Sequence, residues 1–351
     1  MMGKLKKLTG YRLFLPLSCL IIVLLINLIT TPTFFRITIN NGVLYGYIID
    51  VINRASELVV LAVGMTLVVS ASAGTDISVG AVMAVSAAVC TRVLAGGEVS
   101  VNEYANPYIL AVLAALAVAV VCGGFNGFLV AKLKIQPMVA TLILFTAGRG
   151  ISQLVTNGQI TYIRVDGYKL LGNNIPGIPI PTPIFVAVIV VALTYILLNK
   201  TAMGMYIQSV GINERASRLV GLKSVKIIWM AYAFCGLCAG IAGLVASSRI
   251  YSADANNIGL NMELDAIAAV ALGGNSLGGG RFSLLGSVIG AYTIQALTTT
   301  LYAMSVPADQ IPVYKAIVVI LIVAVQSEEL KKFRKRLASR HASRNVKGGA
   351  A

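Results

Sequence analysis

Charge is what this sequence has least of. Only 12% of its 351 residues are Asp, Glu, Lys or Arg, against 57% apolar residues, and the mean hydropathy is +0.85. Soluble domains carry roughly 25% charged residues. A surface this poor in charge excludes water as the main solvent and leaves lipid. Acids are scarcer still, 13 against 28 Lys and Arg, for a net charge of +15. A basic excess can serve nucleic acid. Here it sits in short runs between apolar segments and at the ends, which points away from a nucleic-acid partner and towards membrane topology.

Catalytic equipment is missing too. The one histidine, His341, lies in the C-terminal tail, and no paired carboxylates stand ready for acid/base work with a nucleophile. There is no Gly-x-x-x-x-Gly-Lys-Ser/Thr phosphate loop; the only Gly-Lys step is Gly3-Lys4, followed by Leu5. The run LGGNSLGGGR (272–281) includes Leu277 to Arg281, which resembles an ATPase signature loop. Without a phosphate loop it reads as a break between two helical segments. The chain is therefore expected not to be an enzyme, with any ATP hydrolysis left to a partner. Cys235 and Cys238 form a CxxC without histidine or further cysteine nearby, so they read, like Cys19, Cys90 and Cys122, as packing residues; no metal or cofactor is expected. No small-x-small cleavage site follows the run Leu13 to Ile29, which is read as a retained first span behind Lys4, Lys6 and Lys7.

What the sequence does have is apolar runs. Clear spans are expected at 12–29, 77–95, 109–131, 184–199 and 229–248, and less clean ones at 57–73, 138–156, 262–273, 283–304 and 312–326. About 20 residues cross a bilayer, so 262–273 is too short and reads as a half-span covered by protein. The expected fold is all-α, a polytopic membrane bundle of about ten passes including broken helices. Residues 1–330 form the transmembrane domain and 331–351 a basic cytoplasmic tail beside anionic lipid. If 1–12, 73–77, 132–137, 200–228, 274–282 and 327–351 are inside, they hold 20 of the 28 Lys and Arg. That split places both termini in the cytoplasm. The Gly/Pro-rich stretch 157–183 becomes an outer surface connection. Gly123 with Gly127, Gly236 with Gly240, and Gly286 with Gly290 have the spacing of close helix packing in lipid.

Polar residues inside such a chain are candidate path residues. GTDISVG (74–80) interrupts two apolar runs: Gly74 and Thr75 break the helix, and Asp76 or Ser78 caps the next. Glu263 and Asp265 also stand at the start of an apolar run, where a carboxylate caps helix N–H groups or meets a polar cargo. Asn126, Gln136 and Asn275 are neutral hydrogen-bonding groups that suit a sugar rather than an ion, or simply link helices. An ion-gradient-driven secondary transporter is the competing reading, and it would call for carboxylates in mid-span.

In the 200–228 loop, GINERASRLVGLKSVK (211–226) reads as a short amphipathic helix. Asn213 caps it, Ala216, Leu219 and Val220 share a face, Glu214, Arg215 and Arg218 point elsewhere, and Gly221 ends it. Two turns are too short to stand alone, so it needs a partner.

Four segments, 49–86, 124–160, 201–227 and 252–297, resemble the permease subunits of bacterial ATP-binding cassette importers for monosaccharides, the ribose/xylose/galactose branch. Through KIQPMVATLILFTAGRG (134–150) and ADANNIGLNMELDAI (253–267) the chain is most similar to galactofuranose permeases. Thr75, where that family usually has an aliphatic residue, and Ser217, where it usually has a second alanine, depart from the pattern. The resemblance implies a bacterial plasma-membrane location and a second permease chain, alike or different. It also implies a cytosolic ATP-binding subunit docked on Gly211, Asn213, Glu214, Ala216, Arg218 and Gly221, and an extracytoplasmic binding protein that delivers the sugar.

Overall fold

The computed structural model describes residues 13–40 and 42–326. The N-terminal lysines and the 331–351 tail lie outside them. Each of the ten apolar segments becomes a helix: α1 (Phe14–Thr30), α2 (Tyr47–Ser72), α3 (Val79–Ala95), α4 (Tyr108–Ala131), α5 (Pro137–Val155), α7 (Thr182–Lys200), α10 (Ser224–Ile250), α11 (Met262–Leu272), α12 (Leu284–Ala303) and α13 (Ile311–Gln326). Between them come α6 (Asp166–Lys169), α8 (Met203–Ile212) and α9 (Glu214–Leu219). Among the described residues six helices, α2, α4, α5, α7, α10 and α12, are long and apolar enough to cross a membrane. The others are shorter; α11, with 11 residues, rises only about 16 Å.

The chain is mostly but not wholly helical. β1 (Thr38–Asn40) pairs antiparallel with β2 (Val43–Tyr45). β3 (Ser100–Val101) runs parallel to β4 (Thr161–Ile163), which pairs antiparallel with β5 (Ser252–Ala253). The 157–183 stretch is therefore more than a surface connection. It supplies β4 and α6, and its Tyr168 is buried with the hydroxyl 2.7 Å from Ser247 Oγ.

Burial sorts the helices into a centre and a lipid-facing ring. The most apolar window of α2 is 89% buried, whereas that of α7 is 22% buried and those of α4 and α5 are 28%. A helix apolar on every side belongs in a core; one that turns Leu193 and Ile196, or Leu113 and Val121, outward needs lipid around it. At the centre α2 packs on α10, α12 and α11, and α10 packs on α4 and α3. Lipid tails are as apolar as leucine, so contact here depends on close backbone approach. A Cβ on Gly123 of α4 would sit 2.9 Å from the Gly236 Cα of α10. Cys235 and Cys238, both free and buried, lie against Gly64 of α2.

α8 and α9 define one end of the bundle, here termed the lower end. Gly211 of α8 lies against Ser70, and the Gly280 N–H donates to the Ser70 carbonyl at 3.0 Å. The N-terminal half of α2 and the C-terminal end of α10 face the opposite, upper end.

Candidate functional site

Polar side chains gather in three places in this bundle. One is the α2–α3 break. Ala73 ends α2 in the left-handed region at φ 53°, and α3 starts only at Val79. The freed backbone is met by protein: the Ile77 N–H donates to Thr141 Oγ1 at 3.2 Å, and the Asp76 N–H faces the Met65 sulfur at 3.5 Å. Asp76 Oδ1 accepts from the Ser78 N–H (2.9 Å), the Ser78 hydroxyl (2.7 Å) and Asn126 Nδ2 (3.4 Å). Asn126 Nδ2 also donates to Ser78 Oγ at 2.8 Å, while its Oδ1 is buried with no hydrogen-bond partner. Of the two expected caps, Ser78 takes the N-cap position of α3 but makes no side-chain cap, and Asp76, two residues earlier, holds Ser78. Thr75, Asp76, Ser78 and Asn126 come together, all buried. Among the described residues no Lys or Arg pairs with Asp76.

The upper level is a cavity of about 490 Å³ whose polar lining is Arg54, Glu57, Arg249, Asp254, Asp265, Gln295, Thr298 and Tyr302 and whose apolar lining includes Met83, Ile250, Ile258, Leu260 and Met262. Arg249 of α10 pairs with Glu57 of α2 at 3.0 Å and donates to the Asn53 carbonyl at 3.3 Å. The segment from β5 to α11 forms the floor. Asp254 accepts from the Asn256 and Asn257 N–H groups and from Asn257 Nδ2, at 2.9, 3.3 and 2.6 Å. Burial pushes the Asp254 carboxyl up, but the hydrogen bonds from Asn257 and Asn256 outweigh it and hold the group below its ordinary pKa. Arg149 of α5 pins this segment through the Ala255 and Ile258 carbonyls. Beyond it, Gly259 (φ +69°) lies against Gly80; a Cβ there would sit 3.0 Å from the Gly80 Cα. A side chain at Gly80 would strike the Gly259 carbonyl and the Glu263 carboxyl.

Here the capping reading of Asp265 gives way. Its carboxylate takes Lys315 Nζ of α13 at 2.7 Å, because the half-helix α11 places it beside a half-buried cation that gains from a counter-charge. Glu263 stays in the first turn of α11, buried, with Oε2 unpartnered. The cavity therefore offers fixed acceptors on Glu57, Asp254 and Asp265, donors on Arg54 and Arg249, and an amide and two hydroxyls on Gln295, Thr298 and Tyr302.

The lower level is a cleft of about 300 Å³ between Ser72, Lys134, Gln136, Gly211 and Glu214. α9 is the expected short helix: Asn213 Oδ1 accepts from the Ala216 N–H at 3.0 Å, and Gly221 turns the chain at φ +86°. The structure breaks the chain at Asn213, so that α8 and α9 form a corner. Glu214 takes both Lys134 and Arg218 at 2.5 Å. Burial raises the Glu214 carboxyl, yet the hydrogen bonds from Lys134 and Arg218, with the Lys134 charge, bring it below its ordinary pKa. Ser217 is the residue buried beneath α9. Leu219 (90% exposed), Val220 (76%) and Ala216 face outward and are exposed among the described residues.

Asn275 stands apart from all three places. Its amide spans the 273–283 turn, donating to Ser287 Oγ (2.7 Å) and Val270 O (3.0 Å) and accepting from the Ser283 N–H (2.5 Å). Of the expected path residues, Gln136 lines the lower cleft and Asp265 the upper cavity, while the Asp76 cluster lies buried between helices. Sequence reasoning missed Glu57, Gln295 and Tyr302, and Arg54, Arg249 and Lys315 entered it only among the eight Lys and Arg left outside the assigned inside segments. Ionisable residues close to apolar runs were the available signal.

A lipid-facing ring around interrupted helices that enclose polar clusters is the arrangement of a membrane transport subunit. The chain belongs to the permease family described as "Branched-chain amino acid transport system / permease component", whose model matches residues 47–326. It is 43% identical to the galactofuranose transporter permease protein YtfT of Escherichia coli (strain K12), over 92% of each chain. It is 37% identical to the fructose import permease protein FruF of Bifidobacterium longum (strain NCC 2705), over 96% of this chain and 94% of the relative. It is also 35% identical to the ribose import permease protein RbsC of Escherichia coli (strain K12), over 89% and 93%. No solved structure matches the chain.

Proposed function

We propose that this chain is the membrane-spanning permease of an ATP-driven importer and forms the passage for a monosaccharide. The observation that carries the reading is that full-length relatives at 35 to 43% identity are named for three different sugars. The family description names branched-chain amino acids instead. The upper cavity is compatible with a sugar: its paired charges, hydroxyls and amide can meet sugar hydroxyls, and its apolar wall of Met83, Ile250, Ile258, Leu260 and Met262 can lie against a sugar ring. In this reading the sugar is delivered by an extracytoplasmic binding protein, enters at Glu57 and Arg249, and moves past the α11 half-helix. A second permease chain, alike or different, completes the passage, and the basic tail 331–351 anchors the cytoplasmic side of the bacterial plasma membrane.

The proposal extends to coupling. The lower end is cytoplasmic, and α9 with Gly211, Asn213, Glu214, Ala216, Arg218 and Gly221 docks on an ATP-binding subunit. The bare face of Ala216, Leu219 and Val220 supports that docking, and the Gly211–Ser70–Gly280 contact gives it a rigid route to the end of α2 and the turn before α12. The ion-gradient alternative gains little support: Asp265 is neutralised by Lys315, and the relatives named above are import permeases. Vesicles holding the chain with its ATP-binding and binding-protein partners test the cargo. Labelled ribose, fructose or galactofuranose should accumulate and leucine should not; uptake of leucine alone would overturn the sugar assignment.

A further inference from the structure

A groove of about 370 Å³ opens onto lipid between the end of α4 and the start of α10. Its walls are apolar, formed by Phe128, Val225 and Trp229, and its rim carries Lys132, Lys223 and Lys226, all exposed. We propose that this groove binds an anionic phospholipid, its phosphate among the three lysines and an acyl chain along Phe128 and Trp229. The inference rests on the reading of this chain as membrane-spanning.

Charge carries the argument. Glu214 is the only acid in the 200–228 loop, and it is already shared by Lys134 and Arg218. Among the described residues no carboxylate pairs with Lys132, Lys223 or Lys226. Two of the three stand at the wrong end of a helix. Lys223 is the N-cap residue of the 27-residue α10, makes no side-chain cap, and Lys226 lies in the first turn. A helix N-terminus carries about half a positive charge, so cations there are repelled unless an anion joins them. Shape completes the case. Gly124 and Gly127 let Trp229 lie close on α4, with the indole 3.3 Å from where a Gly124 Cβ would be, which leaves a slot beside the ring. Apolar walls below a basic rim fit a molecule with an anionic head and an apolar tail, and do not fit a free anion. Lys132 Nζ, 5.6 Å from the Phe128 ring centre, stands where head and tail would join.

Trp229 is the only tryptophan in the chain, so it reports on this groove alone. The intact permease is placed in nanodiscs of phosphatidylcholine with a minor share of phosphatidylglycerol, one lipid or the other carrying brominated acyl chains. Brominated phosphatidylglycerol should quench Trp229 as if enriched roughly fivefold over its bulk share, the effect expected of even one lysine near an anionic lipid. The Lys132→Gln/Lys223→Gln/Lys226→Gln variant, altered only at exposed positions, should lose that enrichment. Quenching that follows the bulk ratio in the unaltered protein overturns the proposal without reference to any variant, as does enrichment that survives in the triple variant. Loss of the enrichment on adding millimolar inorganic phosphate would show a simple anion site and also overturn it. Symmetric nanodiscs need neither a known orientation nor transport, so failure here leaves the transport reading untouched.

Discussion

Arg249 and Glu57 lie 192 residues apart in sequence and 3.0 Å apart at the mouth of the upper cavity. Their pairing ties the end of α10 to the upper half of α2, and both side chains remain largely buried, 17% and 15% exposed. Removing one partner leaves a charge in a poorly hydrated place. Glu57→Gln should lower the stability of the purified chain by about 1–3 kcal/mol, below the cost at a dry site because the cavity admits water. Glu57→Gln with Arg249→Gln should recover part of that loss. Thermal melting of the three proteins in detergent decides it, and fully additive losses would show that the pair is not coupled.

The Asp76 cluster predicts a split between folding and transport. Asp76→Asn keeps an acceptor for Ser78 and is expected to assemble and melt like the unaltered chain while sugar uptake falls. Asp76→Leu removes the acceptor of the buried Ser78 N–H and hydroxyl, at about 1–3 kcal/mol for each buried group, and should lower the melting temperature as well. Normal uptake by Asp76→Asn would remove any transport role for the charge.

The bare face of α9 makes Ala216 a clean probe. Because Ala216 is exposed, Ala216→Trp should leave the permease inserted and folded. Against a docked partner the added bulk overpacks the contact by roughly 1–3 kcal/mol. Co-purification of the ATP-binding subunit and sugar-stimulated ATP hydrolysis should both fall. If both are unchanged, the docking surface lies elsewhere.

Acid should loosen the α8–α9 corner. The Glu214 carboxyl sits below its ordinary pKa of 4.5 in the folded chain. Its contribution is therefore full above 4.5, and it is lost as pH falls through the lower, folded value. Cleavage at Lys134 or Arg218 by an acid-tolerant protease should rise over that window, and Glu214→Gln should show high cleavage throughout. Equal acid dependence in both proteins would assign the effect to another group.

Much of the fold was legible because lipid imposes a simple rule: a long apolar run must become a helix. The ten runs and the short α11 followed from length and hydropathy, and the α9 cap followed from Asn213. The cavity was not legible. Glu57 meets Arg249, and Asp265 meets Lys315, only through tertiary packing, and nothing in local spacing distinguishes a cap from half of an ion pair. The buried placement of Tyr168 was hidden for the same reason, within a stretch whose Gly and Pro content reads as surface.

Orientation is the remaining premise. Single cysteines at Gln159 and Leu219, both exposed, in a chain stripped of its five native cysteines, place the two ends. An impermeant thiol reagent added to intact cells should label position 159 and spare 219; the reverse pattern inverts the topology.

The central claim is that sugar moves through this chain at the expense of ATP hydrolysed by a partner. Its most direct test is accumulation of the labelled sugar in vesicles containing the complete assembly, with ATP supplied on the α9 side and ionophores collapsing proton and sodium gradients. Uptake above the external concentration that needs ATP and ignores the ionophores is the expected result. Uptake that persists without ATP and vanishes with the ionophores would contradict the account and restore the ion-gradient carrier.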